Sequence, residues 1–159
     1  MFTVQDMMSS DPITLTSKHK ISEAKRLMDS HRIRHIPIVG EDDHLLGLVT
    51  QRDVLAAQSS SLEKAVGDNE PMEAELARFL DRPLYTVSPC AGLKAAALYM
   101  QKHKIGCLPV VEKEKLVGII TDTDFVLSPS ICWRFKKKLN HWKRMNNRLA
   151  RKRKHDQTA

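Results

Sequence analysis

Arg34-His35-Ile36-Pro37-Ile38-Val39, followed after a charged turn by Gly47-Leu48-Val49-Thr50-Gln51-Arg52-Asp53, decides the fold, because the chain writes this phrase twice. The second copy reads Gly106-Cys107-Leu108-Pro109-Val110-Val111, then Gly118-Ile119-Ile120-Thr121-Asp122-Thr123-Asp124. Pro37 and Pro109 lie 72 positions apart, and Asp53 and Asp124 lie 71 apart. The one-residue slip falls in the turn, where Gly40-Glu41-Asp42-Asp43-His44 becomes Glu112-Lys113-Glu114-Lys115. A length change confined to a turn is what two copies of one folded unit show. A repeated unit implies a repeated surface, and so a cleft made twice.

Working outward, each copy carries the same elements in the same order. Ile13-Thr14-Leu15-Thr16 and Tyr85-Thr86-Val87-Ser88 are short extended pieces, each preceded by a proline, Pro12 or Pro83. An amphipathic helix follows, with Ile21, Ala24, Leu27 and Met28 on one stripe and Leu93, Ala96, Ala97 and Met100 on the other. These helices run out near His31 and His103. Two apolar runs around a charged turn then predict a hairpin, Ile36–Val39 with Leu45–Val49 and Leu108–Val111 with Leu116–Ile120. Pro37 and Pro109 lack an amide donor and favour a strand start or a sheet edge. Thr50 and Thr121 sit where a strand hands over to a second helix, expected over 53–57 and 124–127. The unit is β-α-β-β-α and the fold class α/β, of the α+β kind. The expected organisation is a first repeat at 1–57, a linker at 58–71 opened by Gln58-Ser59-Ser60-Ser61, a second repeat at 72–128 and a tail at 129–159. Met72–Leu80 reads as a short helix leading into the second copy, and Val4–Met8 plays that part for the first.

The 159 residues suffice for one ordinary core or two small ones packed as a pair. No apolar run approaches the ~18–20 residues that cross a bilayer, and residues 1–11 are too polar for a signal peptide, so the expected compartment is the cytoplasm. Cys90, Cys107 and Cys132 are odd in number and widely spaced, against a disulfide framework or a metal site; all three read as small, mostly buried apolar residues. The net charge of +7 divides unevenly. Residues 1–124 hold 15 Lys and Arg against 18 Asp and Glu, a net of −3, whereas residues 125–159 hold 11 against the single Asp156, a net of +10. Electrostatic arguments about macromolecular partners therefore belong to the tail.

Two copies of a strand carrying hydrophobic-Pro-hydrophobic-Val, each followed by Gly-hydrophobic-hydrophobic-Thr-x-x-Asp, resemble a tandem CBS (cystathionine-beta-synthase-type) domain pair over residues 4–128. The chain is similar to small stand-alone prokaryotic CBS-pair proteins and to the CBS part of acetoin-utilisation-type proteins. The resemblance implies two pseudo-symmetric halves packed sheet against sheet, a homodimer, and an adenosine-type regulatory ligand (AMP, ADP, ATP or S-adenosylmethionine) with no cofactor required and no catalysis. The ligand would change the packing of the halves, or of the tail, and so report energy or cofactor status to a regulated protein the sequence does not name.

The matched residues have chemistry that suits such a ligand. A Thr at a helix start offers a hydroxyl beside free amides and the positive dipole end, and one turn later an Asp can accept both hydrogen bonds of a ribose diol. Thr50/Asp53 and Thr121/Asp124 are thus either ribose-phosphate corners or plain helix caps. Arg34-His35 places a permanent cation and a titratable donor beside the first Pro, suited to phosphate, or else is an exposed side chain beside a packed ring. Gly106-Cys107 offers neither, so the two clefts are expected to be unequal. Ile13, Ile36 and Pro37, or Tyr85, Leu108 and Pro109, could line an apolar purine slot or simply pack the core. The resemblance extends the ligand set to Thr14, Arg52, Thr86, Cys107 and Thr123.

Catalytic patterns are missing. His31 and His35 are four apart but straddle a helix end and a strand start, which loses the one-face geometry of a metal pair. No phosphate-cradling glycine loop, HExxH or Ser/His/Asp arrangement occurs. No catalytic or metal residue is assigned. In the tail, Phe135, Leu139, Trp142 and Leu149 follow a helical stripe, with Lys136, Lys137, Lys138, Lys143, Arg144 and Arg148 off it, then Arg151-Lys152-Arg153-Lys154. Such a helix either docks its stripe on the pair or contacts nucleic acid or an anionic membrane. A nucleic-acid-binding protein that uses the pair as a dimerising scaffold is the alternative to the sensor.

Overall fold

The structure, a computed structural model, describes residues 2–63 and 70–125. Both expected hairpins form. β2 (His35–Val39) pairs antiparallel with β3 (Leu45–Thr50), and β4 (Cys107–Glu112) with β5 (Lys115–Thr121). His35 faces Thr50 and Cys107 faces Thr121, and both ladders shift register at the same place, between Ile38 and Val39 and between Val110 and Val111. The edge of each hairpin is covered by the extended piece of its own repeat. Leu15 donates its amide to the Pro37 carbonyl (3.1 Å) and accepts from Val39 (2.8 Å); Val87 does the same with Pro109 (3.1 Å) and Val111 (2.9 Å). On that edge the prolines are asked only for a carbonyl, which explains their tolerance within a strand.

The helices before the hairpins are α1 (Ile21–His31) and α4 (Leu93–His103). Ile21, Ala24 and Met28 are buried on the first, and Leu93, Ala96 and Met100 on the second. The α1 entry is capped by Glu23, whose carboxylate accepts the Lys20 amide at 2.9 Å. Both helices end in a left-handed residue, Arg32 and Lys104, each at φ 55, with the next amide returning to the Met28 or Met100 carbonyl at 3.1 Å. Ile36, Ile38, Val49, Leu108, Val110 and Ile120 are fully buried, each contributing about 1.5–3 kcal/mol on leaving water.

The leader segments do not pack where the chain order suggests. The 3₁₀ turn Val4–Asp6, which precedes the first repeat, lies on the second: Val4 donates to the Ala91 carbonyl and Leu93 to the Phe2 carbonyl, both at 2.9 Å. The 3₁₀ turn Leu76–Phe79, which precedes the second repeat, lies on the first: Leu76 donates to His19 (2.8 Å) and Ile21 to Ala74 (3.1 Å). The short strand β1 (Ser9–Ser10) likewise adds to β5, giving the order β1-β5-β4. Val4 and Leu76 are both fully buried. The repeats are therefore interlocked by exchanged leaders, a physical reason for them to fold as one body.

Several local expectations are corrected. The second helix of the first repeat, α2 (Gln51–Glu63), continues through Gln58–Ser61 rather than stopping at 57. Ser59 and Ser60 return their hydroxyls to the carbonyls of Leu55 (3.1 Å) and Ala56 (3.0 Å), so these serines prolong the helix instead of ending it. Residues 72–80 are not one helix but α3 (Glu70–Glu73) followed by the 3₁₀ turn. α5 (Asp122–Phe125) begins two residues earlier than expected. Cys107 is buried, Cys90 is exposed, and Cys132 lies outside the described residues. Residues Met1–Asp122 form one compact unit, and the described residues 123–125 fall outside it. The basic helix expected in 129–159 also lies outside the described residues. Among those residues no helix is long and apolar enough to cross a membrane.

Candidate ligand cleft

Thr50 ends β3 and caps α2. Its backbone amide and its hydroxyl both donate to Oδ2 of Asp53, at 2.8 and 2.7 Å, and the Asp53 amide returns to the Thr50 hydroxyl at 3.4 Å. This is a capping box. The other carboxylate oxygen, Oδ1, accepts from Nη1 of Arg82. Asp53 is 10% exposed and Arg82 53%, and the Arg82 guanidinium carbon stands 4.5 Å from the centre of the Phe79 ring. The Thr-x-x-Asp pair is thus a cap, and its acid also holds a cation.

Beside this corner opens a cleft of about 400 Å³ within residues 34–122. Thr50, Arg52 and Asp53 form one wall; Pro83, Leu84 and Tyr85 of the second repeat form another. Arg34 and His35 meet Ile105, Gly106 and Cys107 at its centre, with Lys104 and Asp122 beside them. Four permanent cations (Arg34, Arg52, Arg82 and Lys104) face two carboxylates (Asp53 and Asp122), so positive charge is in excess. Arg34 pairs with Asp122 at 3.1 Å across the repeats, both about half exposed. A Cβ on Gly106 would stand 3.7 Å from the His35 ring and 3.4 Å from Asp122. The absence of a side chain at 106 therefore leaves this centre to His35. Burial pushes the His35 imidazole below its usual range, Arg34 adds to that and Arg52 slightly more, while Asp122 and Asp53 oppose it.

The cleft mixes the two repeats, where the sequence suggested an apolar slot built from one. Ile36, Pro37, Leu108 and Pro109 are fully buried; their side chains serve the core. Ile13 and Thr14 are half-buried in the first extended piece and Thr86 is exposed in the second, none of them lining this cleft. Thr121 closes β5, and Thr123 and Asp124 follow in α5. Tyr85 does line it, and its ring packs on α4, with centroids 6.0 Å from Tyr99 and 5.2 Å from His103. Sequence reasoning missed Arg82, Lys104 and Asp122 as parts of the cleft. The signals were slight: a cation before Pro83, a cation at the left-handed end of α4, and an acid inside the second Thr-x-x-Asp.

Comparison with known proteins agrees with this architecture. The profile of the CBS domain matches residues 4–60 and 76–129. A solved structure of the AcuB protein of Vibrio cholerae, assigned to acetoin utilization, is 47% identical, covers 87% of this chain and 97% of that one, and superposes with a TM-score of 0.74. The CBS domain pair of protein MJ0100, solved with 5′-methylthioadenosine and S-adenosyl-L-methionine, is 28% identical over 79% of this chain and 94% of that one, with a TM-score of 0.68. Hypoxic response protein 1 of Mycobacterium tuberculosis is 31% identical over 125 residues, 78% of this chain and 82% of that protein. A homoserine O-acetyltransferase of Methanocorpusculum labreanum is 32% identical over 127 residues, but the chain spans only 24% of its length.

Proposed function

The chain belongs to the CBS-domain family, and from that premise we propose that it is a regulatory module that binds an adenine nucleotide in the cleft between its repeats and catalyses no reaction itself. The observation that carries this reading is the convergence, in one cleft, of an acid able to take a ribose diol (Asp53), an aromatic ring able to meet a purine (Tyr85) and a surplus of cations able to take phosphate (Arg34, Arg52, Arg82 and Lys104). The adenosine moiety is also common to both ligands of the MJ0100 pair. His35 adds a donor whose charge responds to an approaching anion. The remaining ligand expectations, Ile13, Thr14, Thr86, Thr121, Thr123 and Asp124, are given no part in this cleft.

Binding shifts the population between two packings of the repeats, and a partner protein reads the difference. The Arg34–Asp122 contact spans the repeats and is the first to respond. The module acts as a homodimer in the cytoplasm, which sedimentation of the full chain and cell fractionation test. Calorimetric titration with AMP, ATP and S-adenosylmethionine, on wild type and Asp53→Ala, tests the central claim. Binding of at least one ligand, weakened by Asp53→Ala, supports it; no heat or saturation with any of the three removes it.

A further inference from the structure

We infer that Arg82 sets ligand specificity: by closing Asp53 it makes the cleft select adenosine derivatives that carry an anion over those that do not. The inference rests on the nucleotide-binding reading above. One oxygen of Asp53 is committed to Thr50 through two short hydrogen bonds, at 2.8 and 2.7 Å. A ribose diol giving both its hydrogen bonds to this acid can therefore use only Oδ1, where Arg82 already takes one of the two acceptor positions. Because Asp53 is 10% exposed and Arg82 53%, the guanidinium is the group that gives way.

Where it goes is constrained. Asp53, Phe79 and Arg82 line both the cleft and a second cavity of about 500 Å³, which Ala56, Pro71 and Arg78 also line. Retreat into that cavity brings Arg82 towards Arg78, whose guanidinium carbon already stands 5.8 Å from the centre of the same Phe79 ring. Like charges drawn together there are unfavourable. On either side a displaced Arg82 meets like charge, Arg78 in that cavity and Arg34, Arg52 and Lys104 in the cleft, so an anion bound in the cleft is what gives it a new partner. A 5′-phosphate receives the guanidinium in a bidentate, charge-assisted contact and restores the pairing that the diol broke. An uncharged thioether, as in 5′-methylthioadenosine, breaks the pair and restores nothing, and a sulfonium adds repulsion.

The test is calorimetric titration of the full chain with AMP and with 5′-methylthioadenosine, on wild type, Arg82→Ala and Arg82→Gln. The second variant keeps a stem over Phe79 while removing the charge. The wild type is expected to bind AMP the more tightly. In both variants AMP affinity falls, 5′-methylthioadenosine affinity rises because nothing need be displaced, and the ratio of the two drops about tenfold, equivalent to ~1.4 kcal/mol. A ratio unchanged in either variant overturns the role of Arg82 while leaving nucleotide binding intact. A wild type that binds neither ligand, nor ATP, removes the nucleotide reading and this inference with it.

Discussion

Arg34 of the first repeat donates to Asp122 of the second at 3.1 Å, a contact spanning 88 positions of chain. The equivalent positions under the pseudo-symmetry are Gly106 and Gln51, which carry no charge. This ion pair thus has no charged counterpart at the symmetry-related positions. Both partners are about half exposed, and such pairs contribute about 0–1 kcal/mol, so a ligand phosphate can compete for Arg34 at little energetic cost.

Removing the acid should therefore favour the ligand. In Asp122→Asn, Arg34 no longer has a carboxylate partner, and AMP affinity is expected to rise about three- to tenfold, or ~0.6–1.4 kcal/mol. Stability should change by no more than about 1 kcal/mol. Arg34→Ala should shift affinity the other way. Calorimetry and urea unfolding of both variants check the pair of statements; an Asp122→Asn protein that binds AMP more weakly contradicts them.

Tyr85 is 38% exposed beside the cleft, and α4 holds it through Tyr99 and His103, whose own centroids are 4.3 Å apart. Tyr85→Ala is expected to weaken AMP by about tenfold, since a base–aromatic stack contributes about 1–3 kcal/mol. Tyr85→Phe should bind almost as wild type. Titration of the two variants separates stacking from any role of the hydroxyl.

The hairpins and first helices were legible because β-branched runs around charged turns and stripes at i, i+3 and i+7 are local signals. The bulge shared at Val39 and Val111 and the left-handed ends at Arg32 and Lys104 were not, since no Gly or Asn marks them. Nor was the exchange of leaders. Val4 and Leu76 are apolar in sequence, but which repeat receives them is decided by long-range packing. The cleft followed from that exchange, because Phe79 and Arg82 reach Asp53 only when the second leader lies on the first repeat. Asp53 was legible as a candidate; its commitment to Thr50 and Arg82 was not.

The lowered His35 titration makes both stability and binding depend on pH. A base whose folded-state pKa lies below its unfolded value binds fewer protons in the native state. Its contribution to stability is present above the unfolded value of about 6.5 and is lost as pH falls towards the folded one. A bound phosphate stabilises the imidazolium and raises that pKa. AMP affinity should therefore increase as pH drops from about 7.5 to 6, with proton uptake on binding. His35→Gln should flatten both profiles. Titrations in buffers of different ionisation enthalpy count the protons; uptake persisting in His35→Gln would assign it elsewhere.

The exchanged leaders make two glycines unequal in a way that unfolding can measure. A Cβ on Gly118 would stand 2.6 Å from the Met8 sulfur and 2.9 Å from the Ser9 carbonyl oxygen, which belongs to the backbone of β1. A Cβ on Gly47, its counterpart, would meet the Leu80 Cδ2 at 3.0 Å and the Phe79 carbonyl oxygen only at 3.6 Å. A leucine tip can rotate, whereas a paired strand must shift as a whole. Gly118→Ala should cost about 1–3 kcal/mol by overpacking, with Gly47→Ala clearly less. If the leader is what yields, trimming Met8 to Ala in the Gly118→Ala background should recover part of the loss, leaving the Ser9 contact as the remainder. Urea unfolding of the three proteins gives the ordering, and equal losses at the two glycines would count against the interlocked arrangement.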